Sequence, residues 1–329
     1  MPEVILTSKL TKIYRAGFWK NRSLCALDQL DLQVFENEVF GYLGPNGAGK
    51  STTLKLLMSL IYPTSGTAEI LGKPVTDVST RHHIGYLPEN PFFYEYLTAQ
   101  EFLSYYAGLF DLPPLKISQR VEHLLKLTDV YHARKLQLRK FSKGMIQRVG
   151  IAQALVNDPK IVFLDEPMSG LDPIGRREVR DLILRLKKEG KTVFFSTHIL
   201  NDVETLCDRV GVLCRGRLIG SGRLNELISQ EVSHMEVIVD NVSLETLREV
   251  LDSTVPIRQT GSTLQLELTT DRPVGPLVSA VEGAGGKILS ATPVRQTMED
   301  YFFNLLGNAH AQPDQALPQP AGKAPSQNR

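Results

Sequence analysis

The chain has 329 residues, of which 42% are hydrophobic and 22% charged, and its formal net charge at pH 7 is +1. This composition is typical of a globular protein with a hydrophobic core, and the balanced charge predicts no general attraction to nucleic acid or anionic lipid. The three cysteines, Cys25, Cys207 and Cys214, are too few and too scattered for a disulfide framework or a metal site, which favours a reducing compartment. No apolar run approaches the roughly 20 residues that span a bilayer, so we expect any membrane span to come from another chain.

The first predicted elements are strands at Val4–Tyr14 and Leu24–Phe35, joined by a loop that holds the only tryptophan, Trp19. Basic residues surround Trp19, and the loop either folds back on the protein or contacts a membrane surface. Tyr14, at the end of the first strand, is a candidate for stacking on a nucleotide base, although a tyrosine in that position is also common in ordinary packing.

A glycine-rich turn then follows an apolar strand at Val39–Leu43 and precedes a helical pattern from Thr52 to Leu60. The turn matches Gly-x-x-x-x-Gly-Lys-Ser. Its backbone N–H groups are expected to surround a phosphate chain, with Lys50 as a point charge on the β- and γ-phosphates and the Ser51 hydroxyl as a Mg²⁺ ligand. The predicted phosphate-binding residues are Gly44, Pro45, Asn46, Gly47, Ala48, Gly49, Lys50, Ser51 and Thr52.

The middle of the chain alternates predicted strands and helices. An acidic pair, Asp165-Glu166, ends a continuous apolar strand, and His198 follows a second one; such runs are typical of central strands covered on both faces. The carboxyl ends of parallel strands meet at the ligand edge of a sheet, so we expect these side chains near Lys50. The strands are expected near residues 66–71, 84–87, 161–164, 192–196, 208–214 and 217–220, and the helices near 99–109, 116–127, 146–156 and 173–189, with another from residue 223.

The pattern changes after residue 230. Strands near 235–239, 255–259, 264–268 and 287–292, with helices near 244–251 and 274–284, give the order β-α-β-β-α-β, a ferredoxin-like unit. A final amphipathic helix is expected from Thr297 to Leu306. The remaining tail is rich in Pro, Ala and Gln, and we expect it to be disordered. The predicted domains are therefore 1–230, 231–307 and a disordered tail at 308–329.

The P-loop, the strand ending in Asp165-Glu166, and His198 occur together with Phe141-Ser-Lys-Gly-Met145 and Ser169-Gly-Leu-Asp172. In this order they resemble the nucleotide-binding subunit of an ATP-binding-cassette (ABC) transporter. The resemblance covers about residues 4–230. It implies an α/β P-loop NTPase with a RecA-like core, an antiparallel β-subdomain and an α-helical subdomain, followed here by the small α+β ferredoxin-like domain.

The resemblance also implies residue roles. Tyr14 would stack on adenine, Asp165 would hold Mg²⁺ through water, and Glu166 would be the general base. His198 would contact the γ-phosphate. In this family the signature segment, here Ser142 to Met145 with Gly144, binds the γ-phosphate held by the opposite subunit, and Asp172 lies at that interface.

The chain departs from the family pattern at two places. The signature usually reads Leu-Ser-Gly-Gly-Gln, whereas Lys143 and Met145 replace a glycine and the glutamine here. Lys143 could strengthen phosphate binding electrostatically. Glu89 stands where the family usually has glutamine; its carboxylate can ligate Mg²⁺ but cannot donate a hydrogen bond while ionised. Both departures, and the extra domain, resemble the exporter branch that handles drugs, polysaccharides or other bulky substrates.

Three functions are compatible with these features. The first is an ATP-hydrolysing subunit that uses ATP and Mg²⁺, dimerises on ATP binding as a homodimer, and energises an exporter from the cytoplasmic face of the membrane through a separate transmembrane permease, with no nucleic-acid partner. The second is a soluble ABC ATPase acting on DNA, ribosomes or cofactor assembly. The third is an importer subunit with a regulatory C-terminal domain. The sequence has neither a long heptad run nor a second P-loop, the features that would favour the soluble ATPase.

The loop after Glu89 is the expected docking site for the permease. It carries five apolar or aromatic residues, which form either core or an exposed groove for a helix of the partner. They are Pro91, Phe92, Phe93, Tyr94 and Tyr96.

Overall fold

A computed structural model describes residues 2–16, 22–110, 113–227, 232–252, 255–269, 275–295, 298–302 and 305. The Trp19 loop and the predicted disordered tail lie outside these residues. The strands are β1 (Glu3–Ala16), β2 (Arg22–Phe35), β3 (Val39–Leu43), β4 (Ser65–Ile70), β5 (Lys73–Pro74), β6 (Ile84–Leu87), β7 (Ile161–Asp165), β8 (Thr192–Thr197), β9 (Arg209–Cys214), β10 (Arg217–Arg223), β11 (Val232–Asp240), β12 (Ile257–Thr260), β13 (Thr263–Thr269) and β14 (Lys287–Arg295).

The helices of the described residues agree with most of the predicted ones. They are α1 (Lys50–Leu57), α2 (Ala99–Gly108), α3 (Pro114–Leu127), α4 (Lys143–Ala154), α5 (Pro173–Lys188), α6 (Leu200–Leu206), α7 (Leu224–Leu227), α8 (Leu244–Val250) and α9 (Gly275–Gly283). None of these described helices combines the length and the apolarity needed to cross a membrane.

The central sheet has the strand order β10-β9-β3-β8-β7-β6. Its strands pair in parallel except β10, which is antiparallel to β9. Along β7, Ile161 and Phe163 pack into one apolar cluster while Val162 and Leu164 pack into another, because successive side chains point to opposite faces. Both faces are therefore covered, which explains the continuous apolar run in the sequence.

Two further layers flank this sheet in the first 227 residues. The antiparallel sheet β2-β1-β4-β5 shares an apolar cluster with one face of the central sheet, and α2 to α5 share a cluster with the other face. Helix α2 starts in a capping box, in which Thr98 accepts from the N–H of Glu101 and the Glu101 carboxylate accepts from the N–H of Thr98. This arrangement is the predicted α/β cassette with its β- and α-subdomains.

The last described strands form a separate sheet of order β12-β13-β11-β14, in which every neighbouring pair is antiparallel. With α8 and α9 between the strands, this order matches the predicted ferredoxin-like unit. Residues 298–302 and 305 are helical and form what we call the C-terminal segment. This segment shares an apolar cluster with α6, β9 and β10, so the chain beyond residue 230 also packs on the first 227 residues.

Several element bounds differ from the sequence prediction by a few residues, the two-residue strand β5 was not predicted, and two further differences lie near the site. Helix α4 begins at Lys143 rather than Ile146, because the Ser142 hydroxyl accepts from the Met145 N–H and caps the helix there. Helix α6 was not predicted. It has only seven residues and no side-chain cap at its start, so it carries little local sequence signal.

Candidate nucleotide-binding and hydrolysis site

The P-loop joins β3 to α1 as a turn in which glycine is required. An added Cβ on Gly44 would lie 2.4 Å from the carbonyl oxygen of Leu213, and one on Gly49 would lie 2.4 Å from that of Ala26. Gly49 also has a φ of 112°, and Gly47 a φ of 79°, a region that L side chains rarely adopt. The turn therefore folds tightly against β2 and β9 and ends where Lys50 begins α1.

Lys50 places a buried cation beside the turn. Its side chain is 6% exposed, and its ammonium donates to the carbonyl oxygens of Gly44 and Pro45, at 2.7 and 3.3 Å. The same ammonium lies 3.1 Å from Oε1 of Glu166, a carboxylate that is itself 8% exposed. The structure thus brings the predicted phosphate-binding lysine and the predicted general base into direct contact.

The acidic pair sits at the end of β7 and is connected to β8 through Ser196. The Ser196 hydroxyl donates to Oδ1 of Asp165 at 2.5 Å and accepts from the backbone N–H of Glu166 at 2.9 Å. Parallel pairing of β7 with β8 places Asp165 opposite Ser196. Glu166 itself has a φ of 50°, which is uncommon for a residue with a side chain and is often found at functional sites.

His198 completes this edge of the sheet. Its Nδ1 lies 2.9 Å from Oε2 of Glu166, so the two oxygens of this carboxylate face His198 and Lys50. The ring remains partly exposed, at 42% of its side chain. The predicted convergence of Lys50, Glu166 and His198 is therefore present, and their catalytic roles remain predictions.

A cavity of about 490 Å³ lies over the P-loop and extends to the first two strands. Tyr14 and Glu89 line it together with Glu166, which places the predicted base-stacking residue and the predicted metal ligand at one site. Three residues of β2 also line the cavity and were not predicted. The complete lining is Tyr14, Leu24, Cys25, Ala26, Pro45, Asn46, Gly47, Ala48, Gly49, Lys50, Ser51, Thr52, Glu89 and Glu166.

The signature segment and Asp172 do not line this cavity. Ser142 is exposed and caps α4, and an added Cβ on Gly144 would lie 3.8 Å from the Cα of Gly175 in α5. Asp172 is also exposed and caps α5, since its Oδ1 accepts from the N–H of Gly175 at 2.8 Å. These residues form a second patch, where the first turns of α4 and α5 meet.

Several polar residues support the site, although the sequence predicted no role for them. Ser196 connects the two acidic residues, and buried Gln147 donates to the carbonyl oxygen of Pro167 at 2.8 Å, linking the signature helix to the end of β7. Buried Asp202, on α6, has an Oδ2 atom without a hydrogen-bond partner. Burial raises the pKa of Asp202, while Arg176 and Arg180 oppose this shift. The only sequence signal for these residues is their place one to four positions from a predicted motif.

The donor set fits ATP with Mg²⁺. Among the described residues no group of three or more His, Cys, Asp or Glu side chains could hold a metal by itself. Mg²⁺ does not need such a group, because one or two carboxylates usually hold it together with phosphate oxygens and water. Ser51, Asp165 and Glu89 would supply the protein oxygens, and a bound Mg²⁺ would neutralise charge on the phosphates.

Comparison with known proteins identifies the class as an ABC-type P-loop ATPase. Residues 27–169 match the ABC transporter family. An uncharacterized ABC transporter ATP-binding protein of Nostoc sp. is 46% identical over 310 residues, covering 93% of this chain and 90% of the relative. The bacitracin transport ATP-binding protein of Bacillus licheniformis is 35% identical over 317 residues, which cover 93% of this chain and 98% of the relative.

Solved structures support the same assignment. A dimeric ATP-binding cassette in a post-hydrolysis state, bound to ADP and phosphate, superposes with a TM-score of 0.61 at 27% identity, covering 67% of this chain and 99% of that one. The chain therefore belongs to the ATP-binding proteins of ABC transporters. It is an ATP hydrolase of this family, and the alternative of a soluble ABC ATPase acting on DNA, ribosomes or cofactor assembly is not favoured.

Proposed function

We propose that this chain energises a membrane exporter by hydrolysing ATP between two copies of itself. The observation that carries the proposal is the convergence of Lys50, Glu166 and His198 at the carboxyl edge of the central sheet. The Glu166 carboxylate lies 3.1 Å from Nζ of Lys50 and 2.9 Å from Nδ1 of His198. Export is favoured over import because a relative that is 35% identical over 284 residues, and covers 85% of this chain, is named a Nod factor export ATP-binding protein.

In the proposed reaction, the backbone of the P-loop and Lys50 hold the β- and γ-phosphates of ATP. Glu166 orients a water molecule for in-line attack on the γ-phosphorus, and its carboxylate accepts the proton that this water loses. His198 contacts the γ-phosphate and, with its proton on Nδ1, donates to Glu166. Ser196 holds the backbone of Glu166 in its unusual conformation.

The second copy supplies the residues that do not line the nucleotide cavity. Ser142 and Asp172 are exposed and lie at the meeting point of α4 and α5, away from the P-loop of their own chain. The first N–H groups of a capped helix attract anions. We therefore assign Ser142, Gly144 and Asp172 to the ATP bound by the partner copy, as in a symmetric pair of cassettes.

The permease would dock beside Glu89, on an exposed aromatic surface made of Phe92, Tyr94, Tyr96 and Tyr105. Phe92 and Tyr96 are 78% and 66% exposed. The ring of Tyr94 lies between them, with its centroid 5.7 Å from that of Phe92 and 6.1 Å from that of Tyr96. Exposed apolar patches of this kind mark interaction sites. Phe93, by contrast, packs against Phe102 at 5.3 Å within the core, so only part of the predicted loop is free to dock.

A double substitution tests this docking surface. Phe92→Ser with Tyr96→Ser should leave the isolated protein folded and active as an ATPase, because both side chains are exposed. The same variant should lose an integral membrane protein that co-purifies with the wild type from detergent-solubilised membranes. Tyr62→Ser, at a residue 71% exposed outside this surface, is the matched control. Unchanged co-purification of the double variant would place the docking site elsewhere on the chain. If no integral membrane protein co-purified with the wild type, the proposed peripheral location at the cytoplasmic face of the membrane would lose its support.

A further inference from the structure

The C-terminal segment (residues 298–302 and 305) is bound to α6 by both polar and apolar contacts. Met298 is completely buried, in a cluster with Val203 of α6 and Leu43 of β3. The backbone N–H of Met298 donates to Oε1 of Glu204 on α6 at 2.8 Å. Because Met298 is both fully buried and hydrogen-bonded, the C-terminal segment packs on α6 through specific contacts.

The same segment makes close contact with the edge of the central sheet. An added Cβ on Gly220 of β10 would lie 2.9 Å from both Cδ1 of Leu305 and Oη of Tyr301. Burial of Tyr301 in this contact also raises the pKa of its hydroxyl. The segment thus covers an apolar surface that the first 227 residues would otherwise expose. The partly buried residues that the segment covers are Leu200, Cys207, Ile219, Leu224 and Leu227.

Helix α6 connects this surface to the catalytic edge. It begins two residues after His198, and its residues Asp202, Val203 and Leu206 are buried. Leu43, in the same apolar cluster, directly precedes Gly44 of the P-loop. A shift of α6 would therefore move the backbone that carries His198, since only Ile199 separates them.

The position of α6 depends on its neighbours. A helix of seven residues without a side-chain cap has no stability of its own, because nucleation costs more than one or two turns can recover. The buried face of α6 packs on β3, β8 and α5, and the C-terminal segment contacts α6 at Val203 and Glu204. Loss of the segment removes the contacts at Val203 and Glu204 and leaves α6 with fewer neighbours to hold it.

We propose that the C-terminal segment is a positioning element for hydrolysis, which holds α6 so that His198 keeps its contact with Glu166. Met298, Tyr301 and Leu305 act through α6 and do not touch the nucleotide. Because β14 ends at Arg295, three residues before Met298, the ferredoxin-like sheet is linked through this segment to the rate of ATP hydrolysis. The inference rests on the proposed roles of Glu166 and His198.

The first test removes the polar contact from the α6 side. Glu204 is exposed, so Glu204→Ala should fold normally, whereas kcat should fall roughly two- to tenfold with an unchanged KM for ATP. Glu204→Gln keeps an acceptor oxygen for the Met298 N–H and should restore kcat. Thr205→Ala is the control, because the Thr205 hydroxyl bonds only the Asn201 carbonyl within α6.

The second test removes the apolar contact from the segment side. Tyr301→Ser with Leu305→Ser should lower kcat in the same way, and hydrogen exchange of the α6 backbone should accelerate while that of α1 stays protected. Activity and α6 protection equal to wild type in both the Ala and the double variant would overturn the proposal. A loss of kcat that Glu204→Gln does not restore would also overturn it, because the hydrogen bond would then not be the cause.

Failure of this inference is distinguishable from failure of the proposed function. If Glu166→Gln hydrolyses ATP at the wild-type rate, the catalytic assignment is wrong whatever the segment does. If Glu166→Gln is inactive but the variants at Glu204, Tyr301 and Leu305 keep full kcat, the catalytic assignment stands and the positioning role is wrong.

Discussion

The ammonium of Lys50 lies 3.1 Å from Oε1 of Glu166, and both side chains are almost completely buried. This contact links the first turn of α1 to the carboxyl end of β7, two elements from distant parts of the sequence. Opposite charges that are buried together depend on each other, since removing one leaves the other without compensation. Replacing either residue therefore leaves the other charge buried and unpaired. The two replacements should differ in the function they remove, which is the general base at Glu166 and the phosphate-binding cation at Lys50.

Glu166→Gln should lower the ATP turnover number by about 10²–10⁴, because the amide cannot act as a general base. ATP affinity should remain near the wild-type value, since the P-loop and Lys50 are intact. Steady-state hydrolysis and equilibrium nucleotide binding measure the two effects, and size-exclusion chromatography with ATP should show a longer-lived dimer. Glu189→Gln, at an exposed residue of the α5 C-cap, is the control. Near-normal turnover in Glu166→Gln would contradict the assignment.

Lys50→Ala should instead weaken nucleotide binding, because the buried cation beside the P-loop is lost. It should also lower the free energy of unfolding, since Glu166 then stays buried without its ion pair. Titration with a fluorescent ATP analogue and thermal denaturation measure the two effects. Lys55→Ala, on the exposed side of the same helix, should change neither. Unchanged affinity in Lys50→Ala would place the phosphates elsewhere.

Ser196→Ala should disturb the catalytic edge without touching the P-loop. The change removes the donor to Asp165 and the acceptor for the Glu166 N–H, both of them buried. Leaving such groups unpaired costs about 1–3 kcal/mol each in the free energy of unfolding. We expect a lower melting temperature and a fall in kcat that exceeds the change in ATP affinity. Ser118→Ala, at an exposed position of α3, is the comparison. Equal effects of both changes would speak against a role for the Ser196 bridge.

Asp202→Asn should stabilise the protein at neutral pH. Burial raises the pKa of Asp202 above its ordinary value of 3.8; Arg176, Arg180 and His198 oppose the shift, and Glu166 adds to it. A carboxyl whose pKa is raised in the folded state binds its proton more tightly when folded than when unfolded. The free energy of unfolding therefore falls as the pH rises above the ordinary pKa of 3.8. Asp202→Asn should therefore have a higher melting temperature than the wild type at pH 7, and this difference in melting temperature should shrink towards pH 4. Asp181→Asn, exposed on α5, controls for net charge, and a pH-independent gap would refute the argument.

A chain that ends at Gln230 should still bind ATP, because every residue lining the nucleotide cavity lies before that position. Its melting temperature should be lower than that of the full chain, since the apolar surface around Val203 and Val212 loses the cover of Met298. Nucleotide titration and calorimetry of the two chains measure these effects. A folded, truncated chain without ATP affinity would contradict the predicted boundary at residue 230.

The nucleotide site could be recognised in the sequence because its requirements are local. Gly44, Gly49 and Lys50 must occupy fixed positions in one turn, and the turn must follow a buried strand and start a helix. The apolar run before Asp165 likewise predicted a central strand, since a strand covered on both faces has no polar side. These signals were sufficient for the fold class and for the edge of the sheet where the site lies.

Other features depend on contacts between distant residues. The pairing of β7 with β8 places Ser196 beside Asp165, and no local pattern encodes that register. The sequence also could not separate Phe92, which is exposed, from Phe93, which packs on Phe102, because adjacent residues of a loop have no fixed periodicity.

The C-terminal segment shows the same limit most clearly. Its amphipathic pattern predicted a helix with a face to bury, and the sequence by itself determined no more than that. Only the tertiary structure decided that Met298 is buried against Val203 and bonded to Glu204 beside the catalytic edge. The physical reason is that hydrophobic burial is non-directional, so an apolar face specifies that it will be covered but not which surface covers it.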